Sequence, residues 1–314
     1  MPRPGLLLIT MACFSLSAPT ARDAEAKFEP PKGRTLVFIG QDLDTIQAYA
    51  DAVGPPPDGV MLYTSVQKLE GLTEQIDIGS GPMDGAELHR RFPTAALQIG
   101  LYMVDALEPM AAGAYDEHLD QLADWIRASG VPVFLRVGYE CDGPHNHYDP
   151  AAYVRAYRYL VDRFRARGVA NAAYVWHAYG GAPAAQPLQA WYPGDDYVDW
   201  VGVSYFDQPQ DLMEPAVALA QAHGKPVMLA EATPRGTVPG DGALTWQAWF
   251  DDLFAFIERH DINALCYINS NWDSQPMWRG QGWGDARIQA DPAVQAAWIA
   301  ELRKPRYQPR TSGH

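Results

Sequence analysis

Eight short apolar runs, separated by segments of helical periodicity, are the feature of this sequence that most restricts its fold. Most of the runs are nearly continuous in aliphatic and β-branched residues, which is typical of parallel strands buried on both faces. The predicted strands are residues 35–40, 59–65, 95–104, 131–140, 171–179, 197–207, 225–231 and 262–270. Each run is followed by a predicted helix or a long loop. This order predicts a single-domain α/β protein, a (β/α)8 TIM barrel.

A doubly wound open sheet is the competing fold for such an alternation. That fold would normally carry a glycine-rich phosphate-binding turn after its first strand. Residues 38–44 read Phe-Ile-Gly-Gln-Asp-Leu-Asp and lack such a turn, so the barrel is favoured. The predicted helices are residues 43–53, 86–91, 115–129, 151–167, 213–223, 244–258 and 292–303.

The two ends of the chain are predicted to lie outside the barrel domain, which covers residues 27–304. Residues 1–26 combine a basic start with a short apolar stretch, the pattern of a signal peptide, and predict a secreted or periplasmic protein. Lipidation at Cys13 is the weaker interpretation, because Thr10 replaces the usual Leu. Residues 305–314 are predicted to be a disordered tail. No other segment is long and apolar enough to cross a membrane.

Charge and cysteine content narrow the classes of partner. The formal net charge is −14, and no cluster of Lys and Arg is present, which argues against a nucleic-acid partner. Beyond the predicted signal peptide only Cys141 and Cys266 remain. Two such cysteines form neither a disulfide framework nor a zinc motif, so both are expected to be buried thiols. The protein is expected to be a monomer.

Two glutamates directly follow apolar runs, Glu140 at the end of the fourth predicted strand and Glu231 at the end of the seventh. In a barrel, these strand ends form the mouth that carries the active site. Two carboxyls across such a mouth can cleave a glycosidic bond, since one donates a proton while the other, ionised, attacks the sugar or activates water. Arg136 could place a positive charge beside the ionised partner. A structural ion pair is the alternative for either glutamate alone.

Glutamates that close the fourth and seventh strands resemble the arrangement in clan A glycoside hydrolases. Four local motifs are similar to glycoside hydrolase family 26 in particular. They are LRVGYECDG (135–143), WYPGDDYVDWVGVSYFD (191–207), KPVMLAE (225–231) and WGDARI (283–288). The resemblance extends from about residue 36 to residue 303 and is most specific in the segment leading into the sixth strand.

The resemblance implies roles for individual residues. Glu140 would be the acid/base and Glu231 the nucleophile of a retaining mechanism, which forms a covalent glycosyl-enzyme intermediate and needs no cofactor. Tyr205 would hydrogen-bond the nucleophile, and Arg136 matches the arginine ahead of the acid/base. The family usually has Trp-His-Glu at the acid/base, whereas this chain has Gly-Tyr-Glu. Tyr139 therefore stands where the family has a histidine that contacts the sugar, which indicates a divergent member.

Aromatic and polar residues at other strand ends are the further candidates for sugar binding, since flat rings stack on the apolar faces of sugars. Trp272, after the eighth strand, is expected to be a platform for the sugar. Trp176 and His177 end the fifth strand, and Asp105 follows the third. The histidines of PHNHY (144–148) lack a third ligand, so this segment is interpreted as a substrate-facing or solvated loop rather than a metal site.

The predicted function is that of an exported, retaining, endo-acting glycoside hydrolase. The resemblance favours β-mannan as the substrate, with β-1,3-xylan and mixed-linkage β-glucan as alternatives. A sugar-binding protein that has lost turnover is a second hypothesis, motivated by Tyr139. The retained glutamate pair and Arg136 argue against it, because a binding protein has no need of them. A metal-dependent barrel hydrolase is a third, and it would need a set of His and Asp ligands at the strand ends.

Overall fold

Eight parallel strands close into a barrel in sequence order in the computed structural model, with β8 paired to β1. The structure describes residues 26–54, 56–182 and 185–308, so nearly all of the predicted signal peptide lies outside the described residues. The strands are β1 (Leu36–Gly40), β2 (Gly59–Ser65), β3 (Ala96–Tyr102), β4 (Val133–Val137), β5 (Ala172–Ala178), β6 (Trp200–Tyr205), β7 (Val227–Ala232) and β8 (Ala264–Ile268). The predicted TIM barrel is confirmed.

Helices between the strands cover the outside of the barrel. They are α1 (Leu43–Val53), α2 (Gly85–Arg91), α3 (Leu107–Ala111), α4 (Asp116–Ser129), α5 (Pro150–Ala166), α6 (Glu214–Ala222), α7 (Gly242–Thr245), α8 (Asp251–His260) and α9 (Pro292–Leu302). Their ends follow local sequence rules. Asp42 caps α1 and Asp149 caps α5, each accepting bonds from backbone amides of the first turn. Gly130 ends α4 in the left-handed conformation.

Aromatic side chains fill the lower part of the barrel interior, away from the strand ends that carry the glutamates. Phe38, Phe134 and Trp200 pack edge to face, with ring centroids 5.2 Å apart in both pairs. The segment before β1 closes this end of the barrel. Phe28 packs on Phe134, and the backbone carbonyl of Lys27 accepts a hydrogen bond from the indole nitrogen of Trp200 at 2.7 Å. This packed base leaves the polar interior residues at the opposite end.

A bulge in β7 decides where Glu231 points. Val203 of β6 pairs with Leu229, but the next residue, Ser204, pairs with Glu231, so that Ala230 is an extra residue in β7. Ala230 packs in the barrel interior, and regular alternation would therefore turn Glu231 toward the helices. The bulge re-aims the side chain, as bulges near active sites commonly do. Glu231 consequently faces the interior as well.

The predicted disordered tail at residues 305–314 is wrong in its first part. Pro305–Tyr307 form a 3-10 turn, and the tyrosine side chain is buried. The carbonyl of Arg306 accepts a hydrogen bond from the amide of Thr35 at 2.8 Å, which ties this turn to the start of β1. The prediction followed the polar composition of this segment and overlooked the buried Tyr307. Residues 309–314 lie outside the described part of the chain.

Two helical segments also differ from the prediction. The single helix expected over residues 244–258 begins at Gly242–Thr245, continues through a π-helical turn at Trp246–Phe250 and ends with Asp251–His260. A short helix at Leu107–Ala111, absent from the prediction, follows β3; one and a half turns are too few for periodicity to reveal. In the part of the chain that the structure describes, no helix has the length and apolarity needed to span a membrane.

Replacing Trp200 with Ala should lower the free energy of unfolding by about 3–5 kcal/mol, because the substitution opens a cavity between Phe134 and the N-terminal segment. Urea unfolding followed by circular dichroism measures this change. Leu244→Ala is the matched control, since Leu244 is 67% exposed and its truncation should change stability by less than about 0.5 kcal/mol. Equal midpoints for the two variants would contradict this account of the core.

Candidate active site

Glu140 lies in a tight turn just beyond β4 rather than in the strand. The strand ends at Val137, and both Gly138 and Glu140 adopt the left-handed backbone conformation, with φ of 59° and 51°. Such a conformation is uncommon for a residue other than glycine, and residues held in it cluster at functional sites. The Glu140 side chain is 9% exposed. Its Oε1 accepts a hydrogen bond from Ser204 at 2.5 Å, and its Oε2 lies 2.9 Å from Nε2 of His145.

Glu231 forms a buried ion pair with Arg136, which reaches it across the barrel from β4. Nη1 of Arg136 donates to Oε1 of Glu231. The arginine side chain has no exposed surface, while that of Glu231 keeps 11% of its surface exposed. A guanidinium stays charged at any physiological pH, so its burial demands an anion beside it. The predicted proximity of Arg136 to one carboxylate of the pair is what the geometry shows.

Two tyrosine rings pack beside the Arg136 guanidinium and against each other, with their centroids 5.6 Å apart. The central carbon of the guanidinium lies 4.9 Å from the ring centroid of Tyr63 and 5.1 Å from that of Tyr139. Gly100 of β3 makes room for this arrangement, because a Cβ there would come within 2.7 Å of Nη2 of Arg136 and 2.6 Å of the Tyr63 ring. Tyr139 also packs against Tyr102 and is only partly buried. It therefore lies at the surface of the cleft, as a sugar-contacting residue must.

His177 and Ser204 form a second layer beneath the glutamates. His177 is completely buried, with Nδ1 at 3.3 Å from Nη1 of Arg136 and Nε2 at 3.1 Å from Oγ of Ser204. The prediction that His177 contacts substrate is therefore wrong, because a ring without exposed surface cannot touch a sugar. It contacts the residues that contact the two glutamates.

Burial and neighbouring charges shift the pKa values of this cluster. Burial raises the pKa of Glu231 above its ordinary value, and the adjacent Arg136 charge opposes that increase. The hydrogen bond to Glu140 raises the pKa of His145, against the effect of partial burial. Burial lowers the pKa of His177 well below its ordinary value, so that this ring is neutral.

The expected hydrogen bond from Tyr205 to the nucleophile is also wrong. The Tyr205 hydroxyl accepts a hydrogen bond from Nε2 of Gln210 at 3.0 Å, and its ring packs on Trp249, 5.5 Å away. Because side chains alternate along a strand, the inward position of Ser204 turns Tyr205 toward the helices. Ser204 is the residue of this motif that reaches a glutamate, and it contacts Glu140 rather than Glu231.

Two other predicted sugar-binding residues lie away from the glutamates. Trp176 is completely buried on the outer side of β5, where its indole nitrogen donates to the carbonyl of Trp191 at 3.0 Å, so its predicted contact with substrate is wrong. Its neighbour His177 faces inward instead. Asp105 is exposed beyond β3 with φ of 61°. Among the described residues it makes no hydrogen bond or ion pair to either glutamate.

A cluster of three tryptophans lies at the mouth of the barrel after β8. Trp272, the predicted platform, is only 4% exposed, and its indole nitrogen donates to Thr233 at 3.3 Å. Trp278 and Trp283 cover it, each with its ring centroid 5.3 Å from that of Trp272. Both of these rings are only partly buried. The aromatic surface open to a ligand is therefore provided by Trp278 and Trp283, while Trp272 supports them.

Three residues next to the glutamates were not predicted: Tyr63, His145 and Ser204. Ser204 could have been found by strand alternation. It directly precedes Tyr205 in the same motif, so the two side chains face opposite sides of β6. His145 belongs to the loop that was interpreted as substrate-facing or solvated, and its side chain is 46% exposed. Residues 26–54, 56–182 and 185–308 contain no cluster of three or more His, Cys, Asp or Glu side chains that could hold a metal ion.

Comparison with known proteins identifies relatives over nearly the whole chain. The family model described as glycosyl hydrolase family 26 matches residues 85–266. The chain is 34% identical to the β-1,3-xylanase TXYA of a Vibrio species over 96% of this chain and 71% of that protein. It is 32% identical to a β-1,3-xylanase of an Alcaligenes species, over 96% of this chain and 70% of that protein.

Solved structures with the same barrel are more distant in sequence. The family 26 β-mannanase BoMan26A from Bacteroides ovatus superposes with a TM-score of 0.62 at 15% identity, covering 90% of this chain and 95% of that one. A modular endo-β-1,4-mannanase from Cellulomonas fimi gives a TM-score of 0.63 at 19% identity, covering 88% and 72%. These similarities support the fold.

Replacing Glu140 with Gln should lower the pKa of His145, because it removes the carboxylate at 2.9 Å that favours the imidazolium. Proton NMR titration of the His145 ring measures this change. The resonance of His118 serves as the internal reference, since that ring bonds to the carbonyl of Val66 and does not contact Glu140. An unchanged midpoint for His145 would show that the two side chains do not interact in solution.

Proposed function

Because the chain belongs to glycoside hydrolase family 26, we propose that it cleaves β-1,3-xylan internally by a retaining mechanism with Glu231 as nucleophile and Glu140 as acid/base. Its relatives make it a glycoside hydrolase that acts within β-linked glycans. One observation supports the mechanism above all others: Glu140 and Glu231 are brought to one barrel mouth in different environments. Glu231 bonds to a permanent cation, whereas Glu140 bonds to a hydroxyl and to a half-exposed imidazole.

The choice of β-1,3-xylan rests on the sequence relatives. Both β-1,3-xylanases are 32–34% identical to this chain over 96% of its length, whereas the solved mannanases are 14–20% identical. Tyr139 is a reason to test substrates other than mannan, because a tyrosine in place of the usual histidine alters the surface that meets the sugar. β-Mannan and mixed-linkage β-glucan are the substrates to compare.

In the first chemical step, a carboxylate oxygen of Glu231 attacks the anomeric carbon. As the glycosidic bond breaks, the proton on Glu140 moves to the leaving oxygen. The Arg136 charge holds Glu231 ionised against the cost of burial. The bulge in β7 fixes the direction of attack, since Glu231 lies within a strand bonded on both sides.

In the second step, water replaces the leaving sugar. Glu140, now ionised, accepts a proton from that water as its oxygen attacks the anomeric carbon, and Glu231 leaves as a carboxylate. The two inversions restore the β configuration. We also infer that the protein is exported, because residues 1–26 have the pattern of a signal peptide.

The function is tested with β-1,3-xylan, β-1,4-mannan and mixed-linkage β-glucan, with products followed by proton NMR. We expect shorter β-1,3-xylo-oligosaccharides whose new reducing ends appear first as the β anomer. Glu231→Ala should lower kcat by about 10⁴-fold or more. Initial release of the α anomer would contradict retention, and turnover of mannan alone would overturn the substrate. Binding of xylan without turnover of any glycan would identify a sugar-binding protein instead.

The two glutamates can be assigned separately with an aryl β-1,3-xylobioside and azide. Glu140→Ala leaves the intermediate accessible to azide from the side normally used by water, so the product should be the β-glycosyl azide. In Glu231→Ala, azide takes the place of the nucleophile and should give the α-glycosyl azide. Hydrolysis of unactivated xylan by Glu140→Ala should fall by about 10²–10⁴-fold. The opposite pair of products would reverse the two roles.

The acid limb of the pH profile should lie above pH 4.5, the ordinary pKa of a glutamate, because burial raises the pKa of the Glu231 nucleophile. Activity falls as pH decreases through that pKa, since a protonated carboxyl cannot attack. Arg136→Gln should move the limb to still higher pH by removing the cation that favours ionisation. Arg136→Lys is the matched variant that keeps the charge, and it should move the limb less. The measurement is kcat/KM against pH, and movement to lower pH in Arg136→Gln would contradict the assignment.

A further inference from the structure

Three buried side chains connect the two glutamates through a continuous line of hydrogen bonds. We call Arg136, His177 and Ser204 the relay. Starting from Glu231, Nη1 of Arg136 bonds to its Oε1 and lies 3.3 Å from Nδ1 of His177. Nε2 of the same ring lies 3.1 Å from Oγ of Ser204, which is 2.5 Å from Oε1 of Glu140. All three relay residues have no exposed surface, and they lie on the adjacent strands β4, β5 and β6.

The donors and acceptors of the relay can be assigned in only one direction. A guanidinium has donors only, so Nδ1 of His177 accepts from Arg136. The neutral ring then carries its proton on Nε2 and donates it to Ser204. The hydroxyl of Ser204 uses its own proton for Oε1 of Glu140. The direction of the last bond is thus set by the charge of Arg136, two residues away along the relay.

This direction determines which oxygen of Glu140 can carry a proton. A proton on Oε1 would have to be donated to Ser204, whose own proton would then have no acceptor among the described residues. A buried donor without an acceptor is costly, so Oε1 is kept as an acceptor. Oε2 remains for the proton. It lies 2.9 Å from Nε2 of the half-exposed His145, so a proton on Oε2 is shared with that ring until a glycosidic oxygen takes the place of the ring.

We propose that Ser204 and His177 are positioning residues that keep the proton of Glu140 on Oε2, from which it moves to the glycosidic oxygen. The inference rests on the proposed role of Glu140 as the acid. In the step concerned, the bond between Oε2 and its proton breaks, a bond from that proton to the leaving oxygen forms, and the glycosidic electron pair goes to that oxygen. Without the relay, the proton would populate Oε1 as well, where it faces Ser204 and not the substrate.

Ser204→Ala tests the proposal with two aryl β-1,3-xylobiosides that differ in their leaving groups. A dinitrophenolate leaves without protonation, whereas an unsubstituted phenol needs the acid. We expect kcat/KM for the phenyl substrate to fall by about ten- to a hundredfold, the effect of one lost hydrogen bond to a charged group, and that for the dinitrophenyl substrate to remain near the wild-type value. A merely structural defect would slow both substrates equally.

Ser270→Ala is the matched control. Ser270 is also completely buried, beyond the end of β8, and its hydroxyl has no hydrogen-bond partner in the part of the chain that the structure describes. It should leave both rates unchanged. Equal losses on the two substrates in Ser204→Ala, or no loss on either, would overturn the proposal. Glu140→Ala is measured in parallel: if it lacks the leaving-group dependence, the role of Glu140 itself is wrong, which separates that failure from failure of the relay.

His177 provides a second test through a conservative variant. His177→Gln keeps an oxygen that can accept from Arg136 and an amide that can donate to Ser204, so it should retain more of the phenyl-substrate rate than His177→Phe, which has neither. In the double variant His177→Phe/Ser204→Ala, the loss should be smaller than the product of the two single losses, since both act on the same proton. Independent, multiplicative losses would show that His177 does not act through Ser204.

Discussion

The buried charge of Arg136 is the constraint on which the interior of the barrel mouth depends. A guanidinium without exposed surface needs an anion beside it, and removing the partner from such a buried pair costs about 3–5 kcal/mol. Glu231 supplies the anion, the rings of Tyr63 and Tyr139 lie 4.9 Å and 5.1 Å from the guanidinium carbon, and His177 accepts a further hydrogen bond. One cation thereby fixes the ionisation of a carboxylate, the tautomer of a histidine and, through Ser204, the orientation of the second glutamate.

The barrel could be predicted from the sequence because its determinants are local. Continuous apolar runs and stretches of helical periodicity each extend over only a few residues, and together they placed all eight strands and the principal helices. The direction of individual side chains at the strand ends was not predictable in the same way. The bulge at Ala230 turns Glu231 inward, and the inward position of Ser204 turns Tyr205 outward. Both depend on the pairing between β6 and β7, which no local pattern reports.

The same limit explains which site residues were found. The two glutamates and Arg136 were recognisable because a charged residue within or directly after an apolar run is costly to bury without a partner. Tyr63, Ser204 and His145 gave no such signal, since a tyrosine or serine in a strand and a histidine in a polar loop are ordinary. They are brought to the glutamates by strand order and by a loop that folds back. Trp176 and Trp272, by contrast, were predicted to bind sugar because they are tryptophans at strand ends. Trp176 packs in the core, and Trp272 lies beneath two other tryptophans.

The two glutamates also differ in how firmly the backbone holds them, and the difference matches their proposed tasks. Glu231 lies inside a strand with neighbours on both sides, so its carboxylate approaches one point from one direction, as an attacking group must. Glu140 lies beyond the end of its strand, in a left-handed turn, with one oxygen held by a buried hydroxyl and the other beside a half-exposed histidine. An acid/base has to give a proton to a departing sugar and later take one from water. A carboxyl held by Ser204 at Oε1 can exchange its partner at Oε2, first for the departing sugar and then for water, without losing its position.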